Sequence, residues 1–318
     1  MDVATLAWRM LRSLPPLYAW RLLHSARAEV LDEAARVLGR PPAPGGLSRT
    51  FLGYTLEHPV GIAAGLDKDA SMVWLAWSMG AGFHVVGSVL PHPYEGVEPK
   101  ILVRLPSGGT VNRLGLPSKG PRVAYERLRV HKPPGMPIAV NIASFTAKGY
   151  GELYRLFSGV ASWVEINISC PNVEDHRTFE DPDMVREICR YMKPLRAPAL
   201  LKIPPTRDES VLARYLEASL DCGFSGIVAG NTMRIMYNGV PAGLGGPSLF
   251  ETTLFMVRRL RSLAPRGFAL VGVGGVDSGY RAKTLLDAGA DLVEVMSAVI
   301  HRGPFAPWLV ARELSQLL

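Results

Sequence analysis

Eight short apolar runs recur along this chain, at residues 59–64, 83–89, 137–142, 163–168, 199–203, 226–229, 268–272 and 292–296. Each is apolar nearly throughout rather than alternating, the pattern of strands covered on both faces and hence of a parallel sheet. Segments with helical spacing separate them, near 70–80, 118–130, 148–158, 181–192, 208–222, 248–263 and 278–288, with a last one near 305–317. Eight such units predict an α/β fold closed into a (β/α)8 TIM barrel rather than an open doubly wound sheet. Residues 91–116 interrupt the rhythm. Two short runs there, 101–105 and 110–112, flank Ser107-Gly108-Gly109 and read as a small β-hairpin insertion over one barrel end.

A different pattern precedes the barrel. Val3, Leu6, Ala7, Met10, Leu11 and Leu14 share one helical face. Pro15-Pro16 ends that helix and starts another carrying Leu17, Trp20, Leu23, Ala26, Val30, Ala34 and Val37. Residues 39–46 hold three Pro and three Gly and read as a linker. The expected organisation is a helical extension with its linker at 1–45 and a barrel at 46–318. The helix pair either packs on the barrel or forms a lid facing lipid, given Arg9, Arg12 and Trp20.

Composition narrows the functional classes. The 318-residue chain is 48% hydrophobic, ample for a large core. It has no charge-free apolar run of eighteen residues and no leader-like apolar stretch with a small-residue cleavage site. A cytoplasmic protein is expected, with peripheral contact through residues 1–38 at the inner face of the membrane as an option. The net charge is +7, but the arginines are scattered and no basic stretch is interleaved with aromatics. Nucleic acid is therefore not an expected partner, whereas an anionic membrane or anionic substrate fits. Cys170, Cys189 and Cys222 are odd in number and lack C-x-x-C spacing, which argues against a disulfide framework and a zinc site. No cysteine cluster is present for an iron–sulfur centre. There are only six Asn and one Gln, a depletion that suggests a hot habitat. Five of the six Asn, at 112, 141, 167, 172 and 231, fall at strand ends or in adjoining loops, which implies that they are used there.

Barrel chemistry sits at the C-terminal ends of the strands. The fourth strand ends E-I-N-I-S-C-P-N over 165–172. Asn167 and Asn172 can fix a flat polar ligand through paired donors and acceptors. Cys170 between them can move a proton or attack if its pKa lies near the working pH; the alternative is a structural thiol in a turn. Lys202 lies within an apolar strand and, if it points inward, needs an anionic partner or a depressed pKa. It could be a positive charge near a flavin's N1 and C2 carbonyl, or a Schiff-base lysine acting on a phosphorylated substrate. Gly274 and Gly275 follow strand seven, and Met296, Ser297 and Ala298 follow strand eight, where barrels often place a phosphate. Gly246 belongs to a further glycine-rich approach at 243–246. Lys68 follows a glycine turn and either binds a carboxylate or stands as an exposed loop residue.

These segments together resemble the dihydroorotate dehydrogenase family from about residue 50 to 303. The motifs are E-H-P-V-G running into A-A-G-L-D-K at 63–68, V-G-S-V at 86–89, N-R-L-G-L at 112–116, N-I-S-C-P-N at 167–172, N-T at 231–232, V-G-V-G-G-V-D at 271–277 and I-H-R-G-P at 300–304. The resemblance implies oxidation of dihydroorotate to orotate with FMN, in pyrimidine biosynthesis. FMN would contact Ala64, Gly65, Ser88, Asn141, Asn167 and Lys202, with its tail and phosphate on Gly246, Gly274, Gly275, Met296, Ser297 and Ala298. Dihydroorotate would be held by Lys68, Asn112, Gly115, Leu116, Asn167, Asn172, Asn231 and Thr232. Cys170 would remove the C5 proton while hydride leaves C6 for flavin N5. The helical extension and the A-A-G-L-D-K wording are similar to the membrane-linked, quinone-reducing class. Cys170 is similar instead to the soluble classes, which use fumarate or a partner electron-transfer subunit, and Met296 replaces the aromatic residue usual in the quinone class.

Overall fold

A computed structural model describes residues 17, 18, 21, 28–169 and 180–318. The expected helix at 1–14, most of the expected second helix before Ala28, and the loop holding Cys170 and Asn172 lie outside the described residues.

Eight parallel strands close the barrel. In chain order they are β3 (Val60–Ile62), β4 (His84–Val89), β7 (Ile138–Ile142), β8 (Val164–Asn167), β9 (Ala199–Ile203), β10 (Gly226–Ala229), β13 (Ala269–Val273) and β14 (Leu292–Val295). Every residue of these strands is buried, which is why their sequences read as continuous apolar runs. The covering helices are α2 (Val73–Ser78), α3 (Pro121–Val130), α4 (Ala147–Phe157), α5 (Pro182–Met192), α6 (Glu209–Cys222), α7 (Phe250–Leu263), α8 (Gly279–Asp287) and α10 (Ala306–Ser315). A short α9 (Ser297–Arg302), which periodicity did not predict, follows β14 directly.

Inside the barrel, alternate residues meet. Phe83, Val85, Ala139, Trp163, Leu200, Val228, Val271 and Leu292 form an apolar plug. A hairpin of β1 (Arg49–Phe51) and β2 (Tyr54–Leu56) lies at the N-terminal ends of the strands. Phe51 meets Trp163 edge-on there, with ring centroids 5.2 Å apart.

At the other end the insertion forms the expected hairpin, β5 (Ile101–Arg104) and β6 (Thr110–Arg113). It does not stand alone. A second hairpin, β11 (Met233–Tyr237) and β12 (Val240–Gly245), pairs with it in a four-stranded antiparallel sheet ordered β11-β12-β6-β5. The glycines at 243–246 therefore serve mainly as strand residues. At Gly246 (φ +108°) a Cβ would lie 2.8 Å from the Gly109 Cα, so the close approach of the two hairpins requires glycine.

The cysteine expectation needs correction. Cys189 and Cys222 form a disulfide that ties α5 to α6, with Cα atoms 5.7 Å apart. Their separation by 33 residues hid a contact that helix packing brings about.

The N-terminal segment is described from α1 (Ala28–Leu38), which packs on α2. Ala28, Asp32 and Ala35 are buried, while Val30, Ala34 and Val37 face outward. Asp32 Oδ1 accepts the Leu75 N–H at 2.7 Å, and Oδ2 lies 3.1 Å from His131 Nε2. Burial outweighs the backbone bond and pushes the Asp32 carboxyl up to about 7. In the unfolded chain the same carboxyl ionises near its ordinary value, so between about pH 4 and pH 7 the unfolded state binds fewer protons. The Asp32 contribution to stability therefore falls as pH rises through that window. Replacing Asp32 with Asn is expected to leave the melting temperature near wild type at pH 4 and to raise it at pH 8, as read by thermal denaturation at both values.

Candidate functional site

A cavity of about 270 Å³ opens at the C-terminal mouth of the barrel, under the four-stranded sheet. Its walls carry every described residue that the sequence placed in the site. The first group comprises Ala64, Gly65, Lys68, Ser88, Asn141, Asn167 and Lys202. The strand β6 and the loop after it add Asn112, Gly115 and Leu116, and the turn after β10 adds Asn231 and Thr232. Gly246, Gly274, Gly275, Met296, Ser297 and Ala298 line the remaining wall. Cys170 and Asn172 lie outside the described residues, but Ser169, the residue before Cys170, is on the wall and buried.

The loop after β3 is held from below by Asp67. Its Oδ1 accepts from the Ser71 N–H at 2.9 Å, and its Oδ2 accepts from Met72 N–H at 3.1 Å and lies 3.3 Å from His84 Nε2. The main chain is fixed as well: Gly65 N–H donates to Gly87 O at 2.9 Å, and Gly87 N–H to Asp67 O at 2.7 Å. This turn brings Lys68 to the cavity. Asp67 thus has a structural role in this turn.

The amides form one connected row across four strand ends. Asn231 Nδ2 donates to Asn167 Oδ1 at 3.3 Å and to Ser169 O and Oγ at 2.8 Å. Asn167 Nδ2 donates to Ser88 Oγ at 3.0 Å, and Ser88 Oγ donates to Asn141 Oδ1 at 2.5 Å. Asn141 Nδ2 then donates to Glu165 Oε2 at 2.8 Å. The Tyr150 hydroxyl on α4 clamps the Asn167 carbonyl at 2.7 Å. A fully bonded row of this kind fixes each amide's orientation.

Lys202 ends the row. Its Nζ lies 3.0 Å from Glu294 Oε2 and 3.3 Å from Glu165 Oε2, with all three side chains buried. Burial alone would push the ammonium down, but the two carboxylates outweigh it and raise the Lys202 pKa. A raised pKa keeps the amine protonated and unable to attack a carbonyl, so the Schiff-base reading of Lys202 falls. Glu294 was missed in the sequence. Its signal was a lone acidic residue in the apolar run L-V-E-V, of the same kind as the Lys202 signal in A-L-L-K-I.

At the far wall, Gly274 (φ +126°) leaves no room for a side chain, because a Cβ would lie 2.6 Å from Thr253 Oγ1. Among the described residues no group of His, Cys, Asp and Glu is arranged to hold a metal. The chemistry available is hydrogen bonding to a flat polar ligand, one buried cation beneath it, and bare backbone at the end where a phosphate would sit.

The family model for dihydroorotate dehydrogenase matches residues 46–318. The chain is 33% identical to the dihydroorotate dehydrogenase (quinone) of Chelativorans sp., covering 92% of this chain and 87% of that protein. It is 32% identical to the protein of the same name from Parvibaculum lavamentivorans, covering 96% and 91%. Its fold is similar to that of the Eimeria tenella DHODH in a crystal structure with ferulenol, with a TM-score of 0.79 over 96% of this chain and 95% of that one at 24% identity. The match along the whole barrel and the site on its C-terminal face place this chain in the dihydroorotate dehydrogenase family.

Proposed function

We propose that the chain oxidises dihydroorotate to orotate with FMN, in pyrimidine biosynthesis, and passes the electrons to a membrane quinone. The observation that carries this reading is the bonded row Asn231–Asn167–Ser88–Asn141 with Lys202 beneath it, on the wall of one cavity. FMN fits these residues. Ala63, Ala64 and Gly65 keep one wall low, Lys202 places a cation where the pyrimidine edge of a flavin would lie, and Glu294 Oε1 and Thr110 Oγ1 are buried polar atoms at the cavity with no hydrogen-bond partner among the described residues. Ala64, Gly65, Ser88, Asn141, Asn167 and Lys202 would hold the ring and ribityl chain. Gly246, Gly274, Gly275, Met296, Ser297 and Ala298 would hold the tail and phosphate.

FMN supplies the acceptor for the hydride that leaves substrate C6. The remaining work belongs to the protein. Lys68 meets the substrate carboxylate. Asn112, Asn167, Asn172 and Asn231, with Thr232, meet the imide edge, whose alternating donors and acceptors a carboxamide can match. Gly115 and Leu116 close the pocket over the substrate. Cys170, next in sequence to the wall residue Ser169, takes the C5 proton. A thiol needs only a modest downward shift from its ordinary pKa of about 8.5 to act as a base near neutrality.

Two features support a quinone as acceptor. The curated relatives carry that word in their names. The exposed stripe Val30, Ala34 and Val37 on α1 also leaves an apolar face turned away from the barrel. We assign residues 1–45 as a unit distinct in role from the barrel at 46–318. Its task is peripheral contact with the inner face of the membrane and admission of quinone, in a chain where no described helix is long and apolar enough to cross a membrane.

An anaerobic titration of the purified protein with dihydroorotate tests the reading: the visible flavin absorbance should bleach at one equivalent per flavin. A yellow protein that stays yellow would remove dihydroorotate as substrate. Replacing Cys170 with Ala should leave FMN binding intact and slow flavin reduction about 10²–10⁴-fold, the usual contribution of a positioned base; stopped-flow absorbance measures it, and wild-type speed would remove Cys170 from its role. Deleting residues 1–44 should abolish quinone reduction and spare flavin reduction by substrate. Unchanged quinone turnover in steady-state assays would refute the lid.

A further inference from the structure

The floor of the cavity holds more negative charge than its lysine can balance. Glu165 on β8 and Glu294 on β14 both approach the Lys202 ammonium, at 3.3 and 3.0 Å, and neither is reached by solvent. With both carboxyls ionised the layer would carry a net charge of one minus in the barrel interior. Two like charges sharing one dry site cannot both ionise cheaply. The remaining polar neighbour, Asn141, donates to Glu165 but adds no charge. On the strands beside β14, the residues opposite Glu294 are Val273 and Gly61, which are uncharged. The other ionisable side chains on the cavity wall are Lys68, Asp277, His301 and Arg302. Glu165 Oε1 and Glu294 Oε1 have no hydrogen-bond partner among the described residues, which leaves an oxygen on each free to carry a proton. Burial first, and then repulsion by Glu165, push the Glu294 carboxyl up to about 8 against the pull of Lys202. Of the two acids, Glu294 lines the cavity.

We propose that Glu165 and Glu294 share one proton beneath the flavin, and that this proton links the flavin's reduction to pH. The inference rests on the FMN reading above. With the shared proton in place, the layer of one ammonium, one carboxylate and one carboxylic acid is neutral. Oxidation of substrate sends two electrons and one hydrogen from C6 into the ring and the C5 proton to Cys170. A bound flavin reduced in this way would carry one negative charge, which Lys202 would balance. That charge raises the affinity of the glutamate pair for its proton. At alkaline pH, where the pair has lost the proton while the ring is oxidised, reduction draws one proton back from water onto Glu294. No other co-reactant is needed.

The test is the midpoint potential of the flavin-loaded protein between pH 6 and pH 10, by spectroelectrochemistry, for wild type and for Glu294→Gln, which fixes a neutral group of the same shape. In wild type the fall of potential with pH should steepen above about pH 8, from one proton per two electrons toward two. Glu294→Gln should keep the single-proton slope throughout, match wild type at pH 6 and lie above it at pH 10. Parallel curves for the two proteins would overturn the proposal, because a fixed charge shifts the potential equally at every pH. If the variant does not fold, the wild-type slope decides alone, as does a protonated-carboxyl band in the infrared difference spectrum of reduction, whose absence would also overturn it. Failure of the underlying reading looks different: wild type would bind no flavin or would not bleach with dihydroorotate. Bleaching with an unbroken slope removes only the shared proton.

Discussion

Closing eight strands into a barrel turns alternate residues inward, and whatever points inward must be apolar or electrically balanced. Up to Val85, Ala139, Trp163 and Leu200 the interior is apolar. One step higher along the same strands stand Asn141, Glu165 and Lys202, with Glu294 facing them from β14. Lys202 cannot exist there as a cation without a carboxylate beside it, and a carboxylate cannot be buried there without Lys202. The rest of the site takes its orientation from this group. A carboxylate only accepts, so Asn141 must present Nδ2 to Glu165, and its Oδ1 is then left to accept from Ser88. Ser88, having spent its one hydrogen, can only accept from Asn167 Nδ2, so Asn167 turns Oδ1 toward Asn231. A charge at the floor thus sets the polarity of amides at the mouth.

The barrel strands were legible because a strand buried on both faces leaves an unbroken apolar run, as in I-A-V-N-I at Ile138–Ile142. Residues at strand ends were legible for a related reason, since polar side chains such as Asn141 and Lys202 break those runs where the site begins. The hairpin β11–β12 was not read, although Asn238-Gly239 between two runs is a strong hairpin signal and both residues have positive φ. Its strands are half exposed and so carry no strict apolar pattern. The disulfide partners lie on different helices, a distance that spacing rules do not cover. Glu294 passed unnoticed because one acidic residue in a strand of four can equally mark a strand edge. Its meaning comes only from Lys202 and Glu165, 92 and 129 residues earlier in the chain.

The roof of the cavity depends on a long-range pairing outside the barrel. Gly243, Leu244 and Gly245 on β12 pair with Asn112, Val111 and Thr110 on β6. Asn112 Nδ2 also donates to Gly243 O at 3.3 Å. The hairpin that begins just after Asn231 and Thr232 therefore holds the strand that carries Asn112. Residues assigned to the two sides of one small ligand are tied together through a sheet that touches the barrel only at its mouth. Neither hairpin is stable by itself in water, since two strands alone are marginal. Joined as four strands they form a cover rigid enough to position an amide. The cover of the cavity is thus assembled from two insertions more than a hundred residues apart, and each is ordered by the other.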